Sequence, residues 1–165
     1  MEKIPSKWRT KIEVFIKKGP KLLVGERKSP YSNRNILVPV SGGVDENETL
    51  EDACKKESLE ELGISINNIR LITKEPFLID WHHPDNGFLR KQPGVKKRLH
   101  KYRGVKIYFL IADFKCYNDT QFNIEGDGMK IIEINKEMLK TEFLEESKKF
   151  FPEYMKLKAK LVDLI

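Results

Sequence analysis

The stretch from Gly42 to Ile64 restricts this chain more than any other. Thr49 stands where a helix N-cap belongs, and Glu51 and Asp52 follow in the first turn, where the helix dipole favours negative charge. Gly63 comes just after the last periodic residue, where a left-handed cap commonly needs glycine. The spacing predicts a helix between these two ends. At about 100° per residue, Glu57, Glu60 and Glu61 fall within an arc of roughly 100°. Leu50 and Ala53 lie on that same arc one or two turns earlier, with Cys54 at its edge. Asp52 and Lys55 lie on the other side, and Ser58 lies on the flank.

A run of acids is ordinarily a solvated helix face. Such a face would put the acids opposite Leu50 and Ala53, whereas here they are in line with them. Carboxylates at i, i+3 and i+4 repel one another, so a positive partner is expected among them. A hard divalent cation supplies it directly. The residues before the helix, with Gly42 and Gly43, read as a backbone turn. Carboxylates on a rigid element beside such a turn suit a cation that holds a phosphate chain.

These residues resemble the Nudix box: Gly, five residues, Glu, seven residues, then Arg-Glu-aliphatic-x-Glu-Glu-x-Gly-aliphatic. Gly42, Glu48, Glu57, Glu60, Glu61, Gly63 and Ile64 fall in register without a gap. Lys56 stands at the arginine position and keeps the charge without the planar fork. Ser58 stands at the aliphatic position, giving up a packing contact that Leu59 would partly replace. The residues before the box read Ile-Leu-Val-Pro-Val-Ser from Ile36 to Ser41, so the family's frequent tryptophan and Pro-Gly-Gly turn are both missing.

The resemblance implies an α+β fold, an α/β/α sandwich with a mixed central sheet. It implies hydrolysis of a diphosphate linkage in a nucleoside diphosphate joined to another moiety. Such substrates include a nucleoside triphosphate, a dinucleoside polyphosphate, a nucleotide sugar or a capped RNA. Mg²⁺ is the implied cofactor, with Mn²⁺ as a substitute. Glu57, Glu60 and Glu61 are the implied ligands, with a backbone carbonyl near Ser41. Glu48 would support the loop or a second cation, and Lys56 would orient an acid, with Glu60 one turn away. Several family members carry the general base in a loop before a late strand. Here Asn123 to Gly128 precedes Met129 to Ile134 and offers Glu125 and Asp127, of which Asp127 is closer to the strand. A box glutamate is the alternative base, and a glycine-rich turn with solvated acids is the plain reading of this loop.

The rest of the chain is compatible with one domain over 1–165. Its 165 residues suffice for a core. No stretch is long and apolar enough to span a membrane. Lys3, Lys7, Arg9 and Lys11 lead into alternation rather than an apolar block, so no signal peptide is read. Cys54 and Cys116 are too few and too far apart for a disulfide framework or a zinc knuckle. Reduced thiols and a cytoplasmic setting are expected.

Ile12, Val14 and Ile16 alternate with Lys11, Glu13 and Lys17 and predict a strand. Gly19-Pro20 signals a turn, with Leu22 to Val24 as the hairpin partner. A polar loop is expected over 26–35 and strands over Ile36–Val40, Arg70–Leu78, Val105–Ile111 and Met129–Ile134. Residues 135–165 read as helical with a break at Pro152, packing through Phe150, Phe151, Tyr154, Met155, Leu161 and Val162.

A second feature lies in a long insertion, 82–103. Arg90, Lys91, Lys96, Lys97, Arg98, Lys101 and Arg103 gather there with His100, and no acid occurs between Asp85 and Asp113. The segment reads either as a solvated basic loop or as a site for a phosphate chain or an RNA backbone. On the second reading Lys96, Lys97 and Arg98 bind substrate. Arg27, after the second strand, is a further candidate for facing phosphate. Trp81, Phe88, Tyr31 and Tyr102 are candidates for stacking on a base, and His82-His83 lacks a zinc spacing. The partners implied are a nucleotide or polyphosphate, with RNA and a homodimer left open. Two other functional classes remain: a catalytically weak domain that binds nucleotide or RNA as a sensor, and an isoprenoid diphosphate isomerase using a cysteine.

Overall fold

In a computed structural model, residues 3–29, 33–118, 130–138 and 152–165 are described. The first hairpin forms as its turn signal requires. Strand β1 (Trp8–Lys18) and strand β2 (Lys21–Lys28) pair antiparallel, with Lys18 opposite Lys21. Gly19 takes a φ of 59°, a conformation glycine adopts without a side-chain clash. Strand β2 runs on through residues expected to be loop and pairs Arg27 with Ile36 of strand β3 (Asn35–Val38).

Pro39 divides the strand expected over Ile36–Val40. Proline has no N–H to donate to a ladder. The chain leaves β2 at Val38 and re-forms as strand β4 (Val40–Gly43), antiparallel to β1. Ser41, Gly42 and Gly43 are therefore strand residues opposite Glu13, Ile12 and Lys11, not the turn expected from the sequence.

Helix α1 (Leu50–Leu62) has the predicted ends. The Thr49 hydroxyl accepts from the Asp52 N–H at 3.0 Å. Gly63 sits at φ 65° and donates to Leu59 O at 2.9 Å. That left-handed cap turns the chain directly into strand β5 (Ile64–Leu71), six residues before the expected start at Arg70. Strand β6 (Phe77–Asp80) is separate, resuming just after Pro76. Both pair with the long strand β7 (Gly104–Tyr117), β5 along its end and β6 along its start. Strand β8 (Lys130–Ile134) closes on β2.

The described residues thus form one eight-stranded mixed sheet, in which β1 and β7 run parallel and the other pairs are antiparallel. The period-two pattern of β1 sends Ile12, Val14 and Ile16 to one face, where Ala53, Cys54 and Leu62 of α1 cover them. Phe15 goes to the other face, joining Val105, Ile107 and Phe109. There the cover comes from the 82–103 segment and from helix α4 (Pro152–Leu164), whose Leu161 is buried. Helices on both faces of a mixed sheet give the layered α+β arrangement expected. Residues 139–151 lie outside the described residues, as do the side chains expected to pack at Phe150, Phe151, Tyr154, Met155 and Val162. Among the described residues, no helix is long and apolar enough to cross a membrane.

The 82–103 segment is folded. A 3₁₀ turn (Pro84–Asn86) leads into two one-turn helices, α2 (Gly87–Arg90) and α3 (Pro93–Lys96). Leu89 is buried, and Phe88, Val95, Leu99 and Tyr102 pack on the same core. Burial of apolar residues every few positions anchors what composition alone presents as a basic loop.

Candidate active site

The buried stripe of α1 is Ala53, Cys54, Ser58 and Leu62. It lies beside the acidic arc, so Glu57 and Glu61 emerge at the margin of the helix–sheet contact, part-buried, while Glu60 is exposed. Glu57 lies across Gly42, so close that a Cβ on that glycine would collide with the carboxylate. Glu61 reaches strand β4, where its Oε2 accepts from the Ser41 backbone N–H at 3.3 Å. The two glycines of β4 serve close approach rather than turning. Gly42 admits Glu57, and Gly43 admits the guanidinium of Arg9 on its way past the strand.

Electrostatics at this edge are unusual for carboxylates. Burial raises the Glu61 pKa to about 8, and Glu57 adds repulsion. The Ser41 N–H and the cations of Arg27 and Lys11 pull in the opposite direction without cancelling it. Glu57 is also raised, first by burial and then by Glu60. Two acids held in this way gain from any cation placed between them.

Lys56 meets acids of both the loop and the helix. Its ammonium lies 3.1 Å from Glu48 Oε2, 3.7 Å from Asp45 and 4.0 Å from Glu57. Glu48 turns back into the box loop, where it accepts the Asp45 N–H at 3.3 Å and the Lys56 ammonium at 3.2 Å. Lys56 therefore braces the loop through Glu48. Ser58, on the flank of the acidic arc, is wholly buried, and its hydroxyl has no hydrogen-bond partner among the described residues. Leu59 is half-buried and lies beside Ile64 and Ile66, with Lys55 and Lys115 nearby.

Strand β1 contributes residues that sequence reasoning missed. Arg9, Lys11 and Glu13 alternate with its apolar face and line a cavity of about 350 Å³ on the side of the sheet away from α1. Burial lowers the pKa of Lys11, and also that of Arg9, which is further lowered by Arg98. The signal was the charged alternation itself, but only the second layer makes that face an interior one. Arg27, expected to face phosphate, lies near enough to stabilise ionised Glu61, and its Nε is buried with no hydrogen-bond partner among the described residues.

The basic cluster divides. Arg90 donates to the carbonyls of Trp81 and His83 at 2.8 and 2.9 Å, and Arg103 donates to Asp80 at 3.1 Å, so both hold the segment together. Arg98 donates to Gly94 O at 2.5 Å and lines the cavity with Arg9 and Lys11. Lys96 and Lys97 are exposed and do not line it. Trp81 is a core residue, and Phe88 and Tyr102 pack against that core. His83 caps the 3₁₀ turn by accepting the Asp85 N–H. Tyr31 and the loop carrying Glu125 and Asp127 lie outside the described residues.

Comparison with known proteins decides the family. The NUDIX domain model matches residues 9–153, most of the chain. The chain belongs to the Nudix family. Its similarity to curated relatives is local. An 82-residue segment is 37% identical to "NAD-capped RNA hydrolase NudC" of Haemophilus influenzae (strain PittEE), and the same figures hold for strain PittGG. That segment is 47% of this chain and 30% of the relative, so the chain spans about a third of the length of the curated relatives it matches. Among solved structures, "NUDIX hydrolase from Nitrosomonas europaea" superposes with a TM-score of 0.58 at 16% identity, covering 82% of this Nudix chain and 78% of its own. "Crystal structure of ADP compounds hydrolase" does so with a TM-score of 0.58 at 14% identity, covering 97% and 71%. These two likenesses show the fold.

Nudix hydrolases generally use divalent metals. Among the described residues, no three acidic, histidine or cysteine side chains converge into a closed cage. The donor set nonetheless fits a hard cation of the Mg²⁺ type, which keeps several waters and takes one or two carboxylates together with phosphate oxygens. Glu57 and Glu61 are all-oxygen donors, desolvated and mutually repelling, at the margin of the helix.

Proposed function

We propose that this Nudix protein is a Mg²⁺-dependent pyrophosphohydrolase that cleaves the diphosphate linkage of a nucleoside diphosphate joined to another moiety. The observation that carries the reading is the pair Glu57 and Glu61, one turn apart, desolvated at strand β4 and flanked by the cations of Arg27 and Lys11. A fixed arrangement of opposite charges around a bare carboxylate pair suits a phosphate chain bridging cation and protein.

Glu57 and Glu61 would hold the ion, with Glu60 beside them and a backbone carbonyl of Ser41 in reach of the same edge. When bound, the ion neutralises charge that develops on the phosphate oxygens and lowers the pKa of a water in its shell. The residues of the chain orient and balance. Arg27 draws the diphosphate toward β4 and offsets its charge. Lys56, through Glu48, keeps the box loop against the helix so that Glu57 stays over Gly42. Asp127 is the family-derived candidate for the base. Cys54 does not support isomerase chemistry: burial raises its pKa to about 12, which keeps the thiol protonated.

The test is turnover with Mg²⁺ of nucleoside triphosphates, dinucleoside polyphosphates, nucleotide sugars, ADP-ribose, NAD and NAD-capped RNA. The last two belong in the panel because of the local similarity to an NAD-capped RNA hydrolase. Turnover of one class by wild type and none by Glu61→Gln is expected. Equal turnover by that variant would remove the box as the catalytic centre. Binding without turnover across the panel would favour a sensor.

A further inference from the structure

The cavity on the far side of the sheet is not explained by diphosphate cleavage alone. Antiparallel pairing places Lys11 opposite Gly43 and Glu13 opposite Ser41. The cavity therefore starts beside the strand whose N–H holds Glu61. Its far wall is the folded 82–103 segment, which contributes Gln92, Val95 and Arg98. The deep end is apolar, with Leu89, Val105 and Ile107.

Three cations converge on this space: Arg9 and Lys11 from β1 and Arg98 from the segment. Glu13 is the one carboxylate among the lining residues. Arg9 and Arg98 are close enough to repel, and Lys11 is held away from water. Glu13 offsets part of the Lys11 charge, and the facing guanidinium groups of Arg9 and Arg98 remain as like charges beside an apolar floor, a repulsion that an entering anion relieves. Arg98 spends one N–H on Gly94 O, which fixes its position, and keeps further donors of its planar fork. Lys96 and Lys97, two residues and one residue earlier in the chain, do not line the cavity.

We propose that Arg98, with Arg9 and Lys11, is a specificity-determining clamp for a phosphoryl group of the substrate beyond the diphosphate that is cleaved. This rests on the hydrolase reading above and names its substrate class: nucleotides with three or more phosphates, or with a separate phosphate, in preference to nucleotide sugars, which carry no phosphate beyond the diphosphate that is cleaved. A guanidinium pairs with a phosphate through two charge-assisted bonds, whereas a sugar hydroxyl offers an ordinary one. The segment that looks like a basic surface loop in the sequence acts through one inward arginine.

The experiment compares KM for ATP and diadenosine tetraphosphate with KM for ADP-ribose in wild type, Arg98→Gln and Arg98→Lys. A Lys96→Gln/Lys97→Gln variant serves as the surface comparison. In Arg98→Gln, KM for the polyphosphates should rise about tenfold to a hundredfold and KM for ADP-ribose much less. Arg98→Lys should recover part of the loss, and the double lysine variant should move the ratio little. A parallel change for all substrates, or an equal effect of the lysine pair, overturns the clamp. Because Arg98 also caps its own turn, Arg9→Gln, built on the sheet, should show the same selectivity.

A second arm measures inorganic tripolyphosphate binding by calorimetry to EDTA-treated protein. Wild type should bind it and Arg98→Gln should bind at least tenfold more weakly. No binding by wild type, or equal binding by both, overturns the clamp. Arg98-dependent binding in a protein that turns over no substrate would remove the hydrolase reading and leave the anion site standing.

Discussion

The carboxylate of Glu57 fills the space that a side chain on Gly42 would need. These residues belong to different elements, helix α1 and strand β4, and their contact sets how closely the helix margin approaches the sheet edge. Gly42→Ala should therefore displace Glu57 while leaving the paired strand intact. An active-site displacement of about 1 Å can cost on the order of a hundredfold. We expect kcat/KM to fall by roughly that factor with little change in melting temperature. Near wild-type kinetics would show that the close approach does not position the acid.

Glu61 sets a pH dependence for the metal-free protein. Its folded pKa of about 8 lies above the ordinary glutamate value of 4.5. Between those values the folded state binds more protons than the unfolded state, so stability falls as pH rises. The contribution is fully present below the unfolded pKa and is lost through the folded one. Urea midpoints in EDTA should decrease from pH 5 to pH 9, and Glu61→Gln should flatten that slope. Added Mg²⁺ should restore more stability at pH 8 than at pH 5. A slope that survives the substitution would assign the effect to other groups.

Ser58 is a buried hydroxyl with no hydrogen-bond partner among the described residues. Leaving such a group unpaired costs about 1–3 kcal/mol. Ser58→Ala should raise unfolding stability by about 1 kcal/mol in urea titrations, and Ser58→Val, nearer the family's aliphatic residue, should do at least as well if the site has room for the added methyl groups. A loss of stability in the alanine variant would mean that the hydroxyl has a partner after all.

The two cysteines should differ in reactivity. Cys54 is buried with its pKa raised to about 12, and Cys116 is exposed. A thiol reagent at neutral pH should label one thiol per chain in the native state and two in denaturant. Rapid labelling of both in the native state would contradict the burial of Cys54.

Local physics made much of this protein readable from its residues. Thr49 and Gly63 end the box helix because caps act through their immediate neighbours, and Gly19-Pro20 sets the first hairpin for the same reason. The spacing of Glu57, Glu60 and Glu61, and the register of the box around them, depend only on helical periodicity and pointed to the family before any geometry was known. Tertiary structure decided what those groups meet. Gly42 and Gly43 read as a turn because glycine favours turns locally; pairing with β1 made them strand, and contacts from Glu57 and Arg9 explain why they are glycine. Lys56 was expected to orient one of the acids; which acids it meets, Glu48 and Asp45 of the loop and Glu57 of the helix, depends on how the loop folds back. Alternation in β1 showed a strand but not that Arg9, Lys11 and Glu13 face an interior cavity, since that depends on a segment some 80 residues later folding across them. Caps, turns and periodicity act locally, so the residues of each segment set the elements and the chemistry they carry. Burial, approach and charge balance were decided by the packing of two layers on one sheet, because each depends on residues far apart in the chain.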